Sequence, residues 1–365
     1  MDVDARAEDW VRLQLCGLAP APLVALLRAF GTPSAIFATT SARRRAVVPP
    51  GVATQVEAGP DPERLAATLA WLAGSGHSLM AWDDADYPRA LLEIGDPPPV
   101  LYCIGNRALL GRPAFAIVGS RNASAQGEAD AQAFAAALSA AGLTIVSGLA
   151  QGIDAAAHRG GLAATGSSIA VVGTGLDRVY PAANRDLAQA LAANGLLLSE
   201  FAPGTPPLKQ NFPRRNRLVS GLSLGVLVVE ASLSSGSLIT ARQAAEQGRE
   251  VFALPGSIHS PLSKGCHRLI RDGAKLVETA QDILDELKLP GVTPDARGEP
   301  AAPDIPLQDP VAAAVLAALG FTPTSIDTLG QRTGIATALL KATLTTLEID
   351  HRVASIPGGL WQRLA

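Results

Sequence analysis

The stretch LTIVSGLAQGID, residues 143–154, decides the fold that we predict for this chain. Residues 143–147 form an apolar run of the length of a strand that is buried on both faces, and residues 152–164 have the composition and length of a helix. Gly148 and Gly152 frame the short connection between them. A buried strand that leads at once into a helix is the repeating unit of a parallel α/β sheet.

The same alternation continues outward from this stretch in both directions. Nearly continuous apolar runs predict further strands at residues 115–119, 168–173, 196–200, 224–230 and 250–254. The segments between them predict helices at residues 126–141, 184–194, 213–220 and 237–248. Right-handed crossovers would join these elements into a doubly wound, Rossmann-like α/β sheet, parallel or mixed, over residues 79–288.

A helical module is predicted before this core, at residues 1–78. Its apolar residues recur at helical spacing, as Trp10 and Leu13 do, and a Gly/Pro turn at residues 16–20 resembles the turns of SAM-like and helix-hairpin-helix modules. For the role of this module we favour plain packing against the core over a specific function.

A winged helix is predicted after the core, at residues 307–365, beyond a linker at residues 289–306 that contains five prolines and two glycines. The predicted elements are helices at 311–319, 325–333 and 336–347 and hairpin strands at 352–356 and 360–364. The candidate recognition helix has one basic residue, Lys341, and is followed by Glu348 and Asp350. We therefore favour a protein-docking or dimer-supporting role over duplex binding for this module.

Composition narrows the class of protein. The 365 residues carry a net charge of −3, so a nucleic-acid partner would require basic groups that are gathered locally. Cys16, Cys103 and Cys266 have no disulfide or zinc spacing, which fits a reducing cytoplasm. The N-terminus is acidic, and no apolar run approaches the roughly 20 residues of a membrane-spanning helix. We expect a cytoplasmic protein without a membrane partner.

Loops after two of the predicted strands have the composition of phosphate-binding loops. Ligands of open α/β sheets bind at the carboxyl ends of the strands. After the first strand come Gly119, which allows close backbone approach, and then Ser120 and Arg121, which suit a phosphate oxygen. After the strand at 224–230 come three small residues that could line a phosphate track or simply cap a helix: Ser235, Gly236 and Ser237.

Two nucleotide-cofactor motifs are incomplete or missing in this chain. The segment GTGLDR at residues 173–178 has an arginine where the third glycine of a dinucleotide fingerprint would stand, and no Walker motif occurs. No small-molecule cofactor is therefore expected.

A basic segment at residues 207–217 supplies the local patch that nucleic-acid binding requires. No acidic residue occurs between residues 201 and 229. In this segment Asn216 and four cationic residues lie close to Phe212 in the sequence. The cations are Lys209, Arg214, Arg215 and Arg217. Basic groups that follow a backbone, together with a ring on which a base stacks for about 1–3 kcal/mol, are typical of single-strand binders. The alternative is a core phenylalanine beside a solvated arginine face.

Six motifs, in this order, resemble the DNA-processing protein A (DprA/Smf) family. They are VGSR at 118–121, SGLAQGIDAAAH at 147–158, GTGLDRVYP at 173–181, SEFAPG at 199–204, FPRRNR at 212–217 and SGSLITA at 235–241. The resemblance implies a protein, not an enzyme, that binds and protects single-stranded DNA, loads RecA onto it in natural transformation, and dimerises through its Rossmann-like domain.

The resemblance also implies roles for individual residues. Arg121 and Lys209 would contact phosphates and Phe212 would stack on a base. The three arginines after Phe212 would extend the groove, unless Glu200 or Glu230 holds one or more of them.

Alternative functions remain at this point. Asp154 and His158, four residues apart, could be an acid–base pair or metal ligands, but we favour a capping and packing role and predict no catalytic or metal-binding residue. A phosphoribohydrolase-like enzyme would need a glutamate where Gln243 stands. A winged-helix regulator with a Rossmann-like sensor domain is the third hypothesis, and preferential binding of duplex DNA would favour it.

Overall fold

The computed structural model of the chain describes residues 4–288, 309–320, 323–350, 352–356 and 358–364. The linker predicted at residues 289–306, and Pro357 of the predicted hairpin turn, lie outside the described residues.

Nine strands form the central sheet. In chain order they are β1 (His77–Ala81), β2 (Val100–Gly105), β3 (Ala114–Val118), β4 (Thr144–Ser147), β5 (Ser168–Val171), β6 (Leu196–Ser199), β7 (Gly225–Val228), β8 (Glu250–Ala253) and β9 (Lys275–Leu276). In space the order is β1-β2-β6-β5-β4-β3-β7-β8-β9. Strands β3 to β9 run parallel, and β2 runs antiparallel to its neighbours β1 and β6.

The predicted doubly wound α/β core is confirmed by this sheet. The six predicted strands correspond to β3 through β8, which are joined by helices. These helices, with the two that follow β8, are α8 (Ala125–Ala140), α9 (Ile153–Leu162), α10 (Arg185–Asn194), α11 (Asn211–Gly221), α12 (Ser237–Glu246), α13 (Lys264–Arg271) and α14 (Ala280–Leu287). Side chains of β3 and β4 are buried on both faces, as with Phe115 and Ala116, because helices cover both sides. The sequence analysis missed β1, β2 and β9.

The winding of the sheet places a topological switch point between β3 and β7. From β3 the chain runs outward through β4, β5 and β6, and it then returns to place β7 on the other side of β3. The connections that follow β3 and β7 therefore leave in opposite directions and open a crevice between them. Open α/β sheets bind their ligands in this crevice.

Helices before the sheet pack directly onto it. They are α1 (Ala5–Leu15), α2 (Pro20–Phe30), α3 (Pro33–Ala38), α4 (Ser41–Arg45), α5 (Pro50–Ala58) and α6 (Pro62–Leu72), and a short α7 (Arg89–Leu92) precedes β2. Trp10 and Leu26 share one apolar cluster with Tyr102 of β2 and Ala170 of β5. The side-chain amide of Gln14 also donates to the carbonyl oxygen of Glu200 at 2.8 Å. The apolar face of these helices is therefore buried against the sheet.

The C-terminal residues form the predicted winged helix. Its helices are α15 (Pro310–Leu319), α16 (Ile326–Thr333) and α17 (Thr337–Ile349), and its strands are β10 (Thr324–Ser325), β11 (Val353–Ile356) and β12 (Leu360–Arg363), in the order β10-β12-β11. Leu316, Leu329 and Leu344 belong to a separate apolar cluster. Across the described ranges, no helix is both long and apolar enough to span a bilayer.

Candidate functional site

A cavity of about 690 Å³ opens at the switch point of the sheet. The connections after β3 to β7 and one face of α11 line it, and we call it the switch-point cavity. Ten of the twelve predicted site residues line it: Gly119, Ser120, Arg121, Lys209, Phe212, Arg215, Asn216, Ser235, Gly236 and Ser237. Segments that are far apart in sequence therefore meet here because the parallel strands end at the same edge.

An aromatic and cationic cluster forms one wall of the switch-point cavity. Phe212 is half-buried in the first turn of α11, and the guanidinium carbon of Arg121 lies 5.5 Å from its ring centroid. The Tyr180 ring, 45% exposed, lies 5.6 Å from the Phe212 ring at an interplanar angle of 42°. A cation beside adjacent ring faces can bind a phosphate and a base together. The sequence analysis did not select Tyr180, although it belongs to the quoted motif at residues 173–181.

Arg215 is a fixed charge at the floor of the cavity. It is only 4% exposed, and its guanidinium donates to the carbonyl oxygen of Val171. A Cβ at Gly148 would overlap this guanidinium, so a larger residue there would displace the Arg215 side chain. Burial lowers the pKa of Arg215 to about 10, and the nearby Asp154 carboxylate opposes that effect. Arg215 therefore remains charged at neutral pH but has little freedom to move toward a ligand.

Arg214 and Arg217 are placed differently from the prediction. They line another cavity, against the N-terminal helices, and both bind the buried carboxylate of Glu200, with Nη2 to Oε2 distances of 3.2 Å and 2.6 Å. The helical period explains the division, because residues three apart share a face of α11. Phe212 and Arg215 thus share one face and Arg214 and Arg217 another. The structure thus agrees with the alternative in which Glu200 holds some of the arginines, here Arg214 and Arg217, and neither of these two lines the switch-point cavity.

Glu230 stabilises the connection after β3 instead of holding an arginine. Its carboxylate accepts from the backbone N–H of Ser124 at 2.9 Å and from the Ser124 hydroxyl at 2.6 Å. Ser124 also caps α8, since its hydroxyl accepts from the Gly127 N–H at 3.0 Å. The end of β7 is thereby tied to the start of α8, which bounds the loop that carries Arg121.

Asp154 and His158 hold the connection between β4 and α9. The Asp154 carboxylate accepts from the N–H groups of Gly148 and Ala150 at 3.1 Å and 3.3 Å. His158 Nε2 accepts from the N–H of Leu149 at 3.2 Å, which assigns the ring proton to Nδ1, 2.7 Å from the Ser168 hydroxyl. Both side chains are buried and engaged by this loop. Within the described ranges, no group of three or more His, Cys, Asp or Glu side chains could hold a metal ion.

The pKa of His158 leads to a testable pH dependence of stability. Burial, with smaller contributions from Arg215 and Arg159, lowers this pKa from 6.5 to about 3. Below pH 6.5 the unfolded chain therefore binds a proton that the folded chain does not, and the free energy of unfolding falls as the pH decreases toward 3. Between pH 7 and pH 5 His158 should account for a loss of about 2 kcal/mol.

Chemical denaturation of the wild type and a His158→Gln variant at both pH values measures this loss. The variant should be less stable at pH 7 but should lose about 2 kcal/mol less on acidification. His259→Gln, at an exposed position, is the control and should follow the wild type. Equal pH dependence in His158→Gln and the wild type would contradict the assignment.

The fold and the site together describe a Rossmann-like α/β protein whose switch-point cavity is lined by cations and aromatic rings. The chain belongs to the DNA recombination-mediator protein A family, whose model matches residues 78–288, and a DprA winged-helix model matches residues 299–359. Members of this family are DNA-processing proteins.

Several known proteins are similar to the chain. Protein Smf of Escherichia coli is 44% identical over 299 residues, 80% of this chain and 79% of that protein. DNA processing protein DprA of Streptococcus pneumoniae is 51% identical over 211 residues, 58% of this chain and 74% of that protein. The X-ray structure of S. pneumoniae DprA superposes with a TM-score of 0.68, at 39% identity over 78% of this chain and 99% of that one.

A second solved structure, of DprA from Helicobacter pylori, is described for its single-stranded DNA binding mode. It superposes with a TM-score of 0.54, at 34% identity over 58% of this chain and 95% of that one.

Proposed function

We propose that this protein binds single-stranded DNA in the switch-point cavity, protects it, and loads RecA recombinase onto it during natural transformation or homologous recombination. The observation that carries the proposal is the cluster of Arg121, Phe212 and Tyr180 over the fixed charge of Arg215. The single-strand binding of the H. pylori relative supports it.

Each part of the cavity has a role in this proposal. Arg121 and the exposed Lys209 neutralise phosphates, and a base stacks on Phe212. Ser235 and Ser237, whose hydroxyls are 2.7 Å apart, lie at the start of α12 and offer a hydroxyl donor to a further phosphate. Gly119 and Gly236 allow the protein backbone to approach the DNA strand closely. Asn216 supplies a side-chain amide for a hydrogen bond to the DNA. No catalytic group, metal or small-molecule cofactor is required.

Further parts of the proposal concern partners and organisation. A homodimer would form through the Rossmann-like domain, where Ile258 and Leu276 of the β8–β9 edge are 66% and 50% exposed. A cytoplasmic location fits DNA and RecA as partners, and the winged helix would dock a protein. We propose domain boundaries at 1–78, 79–288, 289–306 for the linker, and 307–365.

Arg121→Gln tests the proposal because it removes one phosphate contact from an exposed side chain. Wild-type binding to a fluorescent oligo-dT should weaken as salt is added, and the variant should bind about 10- to 100-fold less tightly. The slope of log affinity against log salt should fall by about 0.7, since one phosphate is no longer neutralised.

Arg112→Gln is the matched control. Arg112 is also exposed but precedes β3, so it lies at the amino ends of the strands, where its guanidinium donates to the Thr165 carbonyl oxygen at 3.0 Å. This variant should bind oligo-dT like the wild type. The proposal fails if the wild type does not bind oligo-dT, or if Arg121→Gln keeps both the affinity and the salt slope.

A further inference from the structure

A second cavity, of about 650 Å³, lies between the N-terminal helices and the sheet. We call it the N-terminal cavity. Leu18 and Val24 form part of an apolar wall, and Arg214 and Arg217 enter from α11. Because Phe212 and Asn216 of the same helix line the switch-point cavity, the first turns of α11 contribute to both cavities.

The N-terminal cavity repeats the cation and ring arrangement of the switch-point cavity. The guanidinium carbon of Arg214 lies 5.7 Å from the ring centroid of the half-buried Phe201, compared with 5.5 Å for Arg121 and Phe212. The Arg214 side chain is 53% exposed and can therefore reach a ligand. A ring for a base beside a cation for its phosphate is the pairing by which single-strand binders hold a nucleotide.

Charge in the N-terminal cavity favours an anion. Four arginines line it, at positions 28, 64, 214 and 217, against the two carboxylates Asp96 and Glu200. The ion pairs with Glu200 and Asp96 engage Arg217 and part of Arg214, which leaves an excess of two positive charges. An uncharged or cationic ligand would leave this excess unneutralised.

A buried acceptor adds the second half of the recognition chemistry. Glu200 is 6% exposed, and Oε2 binds both arginines while its buried Oε1 has no hydrogen-bond partner within the described residues. Buried polar atoms are nearly always satisfied, so this oxygen calls for an N–H donor. Exocyclic amino groups of cytosine, adenine and guanine are such donors.

We propose that the N-terminal cavity binds a second nucleotide, whose phosphate contacts Arg214 and whose base lies against Phe201 and donates an amino hydrogen bond to Glu200. The nucleotide is either part of the strand in the switch-point cavity, in which case the inference rests on the proposed function, or a free mononucleotide. Both sources have the same chemistry, a phosphate and a base with an amino group.

Two binding arms on the full-length protein separate the sources. In the first, anisotropy compares labelled oligo-dC of about 4 and about 16 nucleotides, the range of site sizes of single-strand binders, with oligo-dT of equal lengths. In the second, calorimetry measures dCMP binding. The variants are Arg214→Gln, the matched control Arg112→Gln, and Lys209→Ala/Phe212→Ala, which removes the first site.

If the strand is the source, the longer oligo-dC should gain more affinity than the longer oligo-dT. Arg214→Gln should bind the longer oligo-dC about tenfold less tightly than the wild type does. Its affinity for the short oligonucleotide should be unchanged. If a free nucleotide is the source, dCMP should bind the wild type and Lys209→Ala/Phe212→Ala but not Arg214→Gln. Either result supports the inference.

The inference is overturned if Arg214→Gln and Arg112→Gln bind the oligonucleotides with equal affinity and also bind dCMP equally. The proposed function has its own readout, because its failure appears as binding of the short oligo-dT that survives in Lys209→Ala/Phe212→Ala. Thermal unfolding of Arg214→Gln establishes that the variant is folded, which is expected because Arg217 still pairs with Glu200.

Discussion

Replacing Lys209 and Phe212 together by alanine is expected to weaken oligo-dT binding by roughly 100- to 10,000-fold. Loss of one stacked base costs about 1–3 kcal/mol, and loss of one charged phosphate contact adds about 1.5–3 kcal/mol. Lys209 is exposed and Phe212 is half-buried at the mouth of the same cavity, so both losses fall on the same strand. Fluorescence anisotropy across a salt series measures the effect.

Single variants separate the two contributions. Lys209→Ala should reduce the salt slope by about 0.7, whereas Phe212→Leu should lower affinity with the slope unchanged, because leucine retains apolar volume but offers no ring for stacking. Arg112→Ala is the control for loss of a surface cation. A folded double variant that binds as tightly as the wild type would show that the switch-point cavity is not the DNA site.

Gly152→Ala is expected to destabilise the protein by about 3 kcal/mol or more and to weaken DNA binding as well. Gly152 precedes α9 at φ +71° and ψ −126°, a combination open essentially only to glycine. A Cβ there would overlap the carbonyl oxygen of Ser120 and lie 2.8 Å from that of Arg121. Since both obstacles are backbone atoms, relief requires the loop that carries Arg121 to move.

Gly248→Ala is a closely matched control for this experiment. Gly248 has φ +70°, but a Cβ there would meet no atom within 4 Å. Its cost should be limited to backbone strain of about 1–2 kcal/mol, without loss of DNA affinity. Chemical denaturation and oligo-dT binding compare the two variants. Equal destabilisation by both would mean that the contact with the loop after β3 is unimportant.

The fold was largely predictable because its signals are local. Short continuous apolar runs that alternate with helical segments favour buried strands, so the segments that became β3 to β8 could be identified without knowledge of their neighbours in the sheet. The antiparallel strands β1 and β2 were missed because they lie outside the regular alternation of strand and crossover helix, although β2 is itself an apolar run, and β1 is only partly buried along its length. The two-residue β9 is too short to give a pattern.

The candidate site was predictable in composition but not in geometry. Glycine and serine after β3 and β7, and the basic segment around Phe212, could be selected because ligands collect at the carboxyl edge of such sheets. Tyr180 was missed because its contact with Phe212 joins segments that only the folded sheet brings together.

The α/β core, the winged helix and the local excess of positive charge follow from the amino-acid sequence, since each depends on residue types at short spacing. How that charge is divided between two cavities follows from the packing of distant segments. Whether a face of α11 opens to a ligand or to Glu200 depends on the N-terminal helices packed against the sheet and on Val171 at the end of β5. Arg215 is therefore buried at the base of the switch-point cavity, and Arg217 is paired with Glu200. Both outcomes depend on neighbours that are distant in sequence.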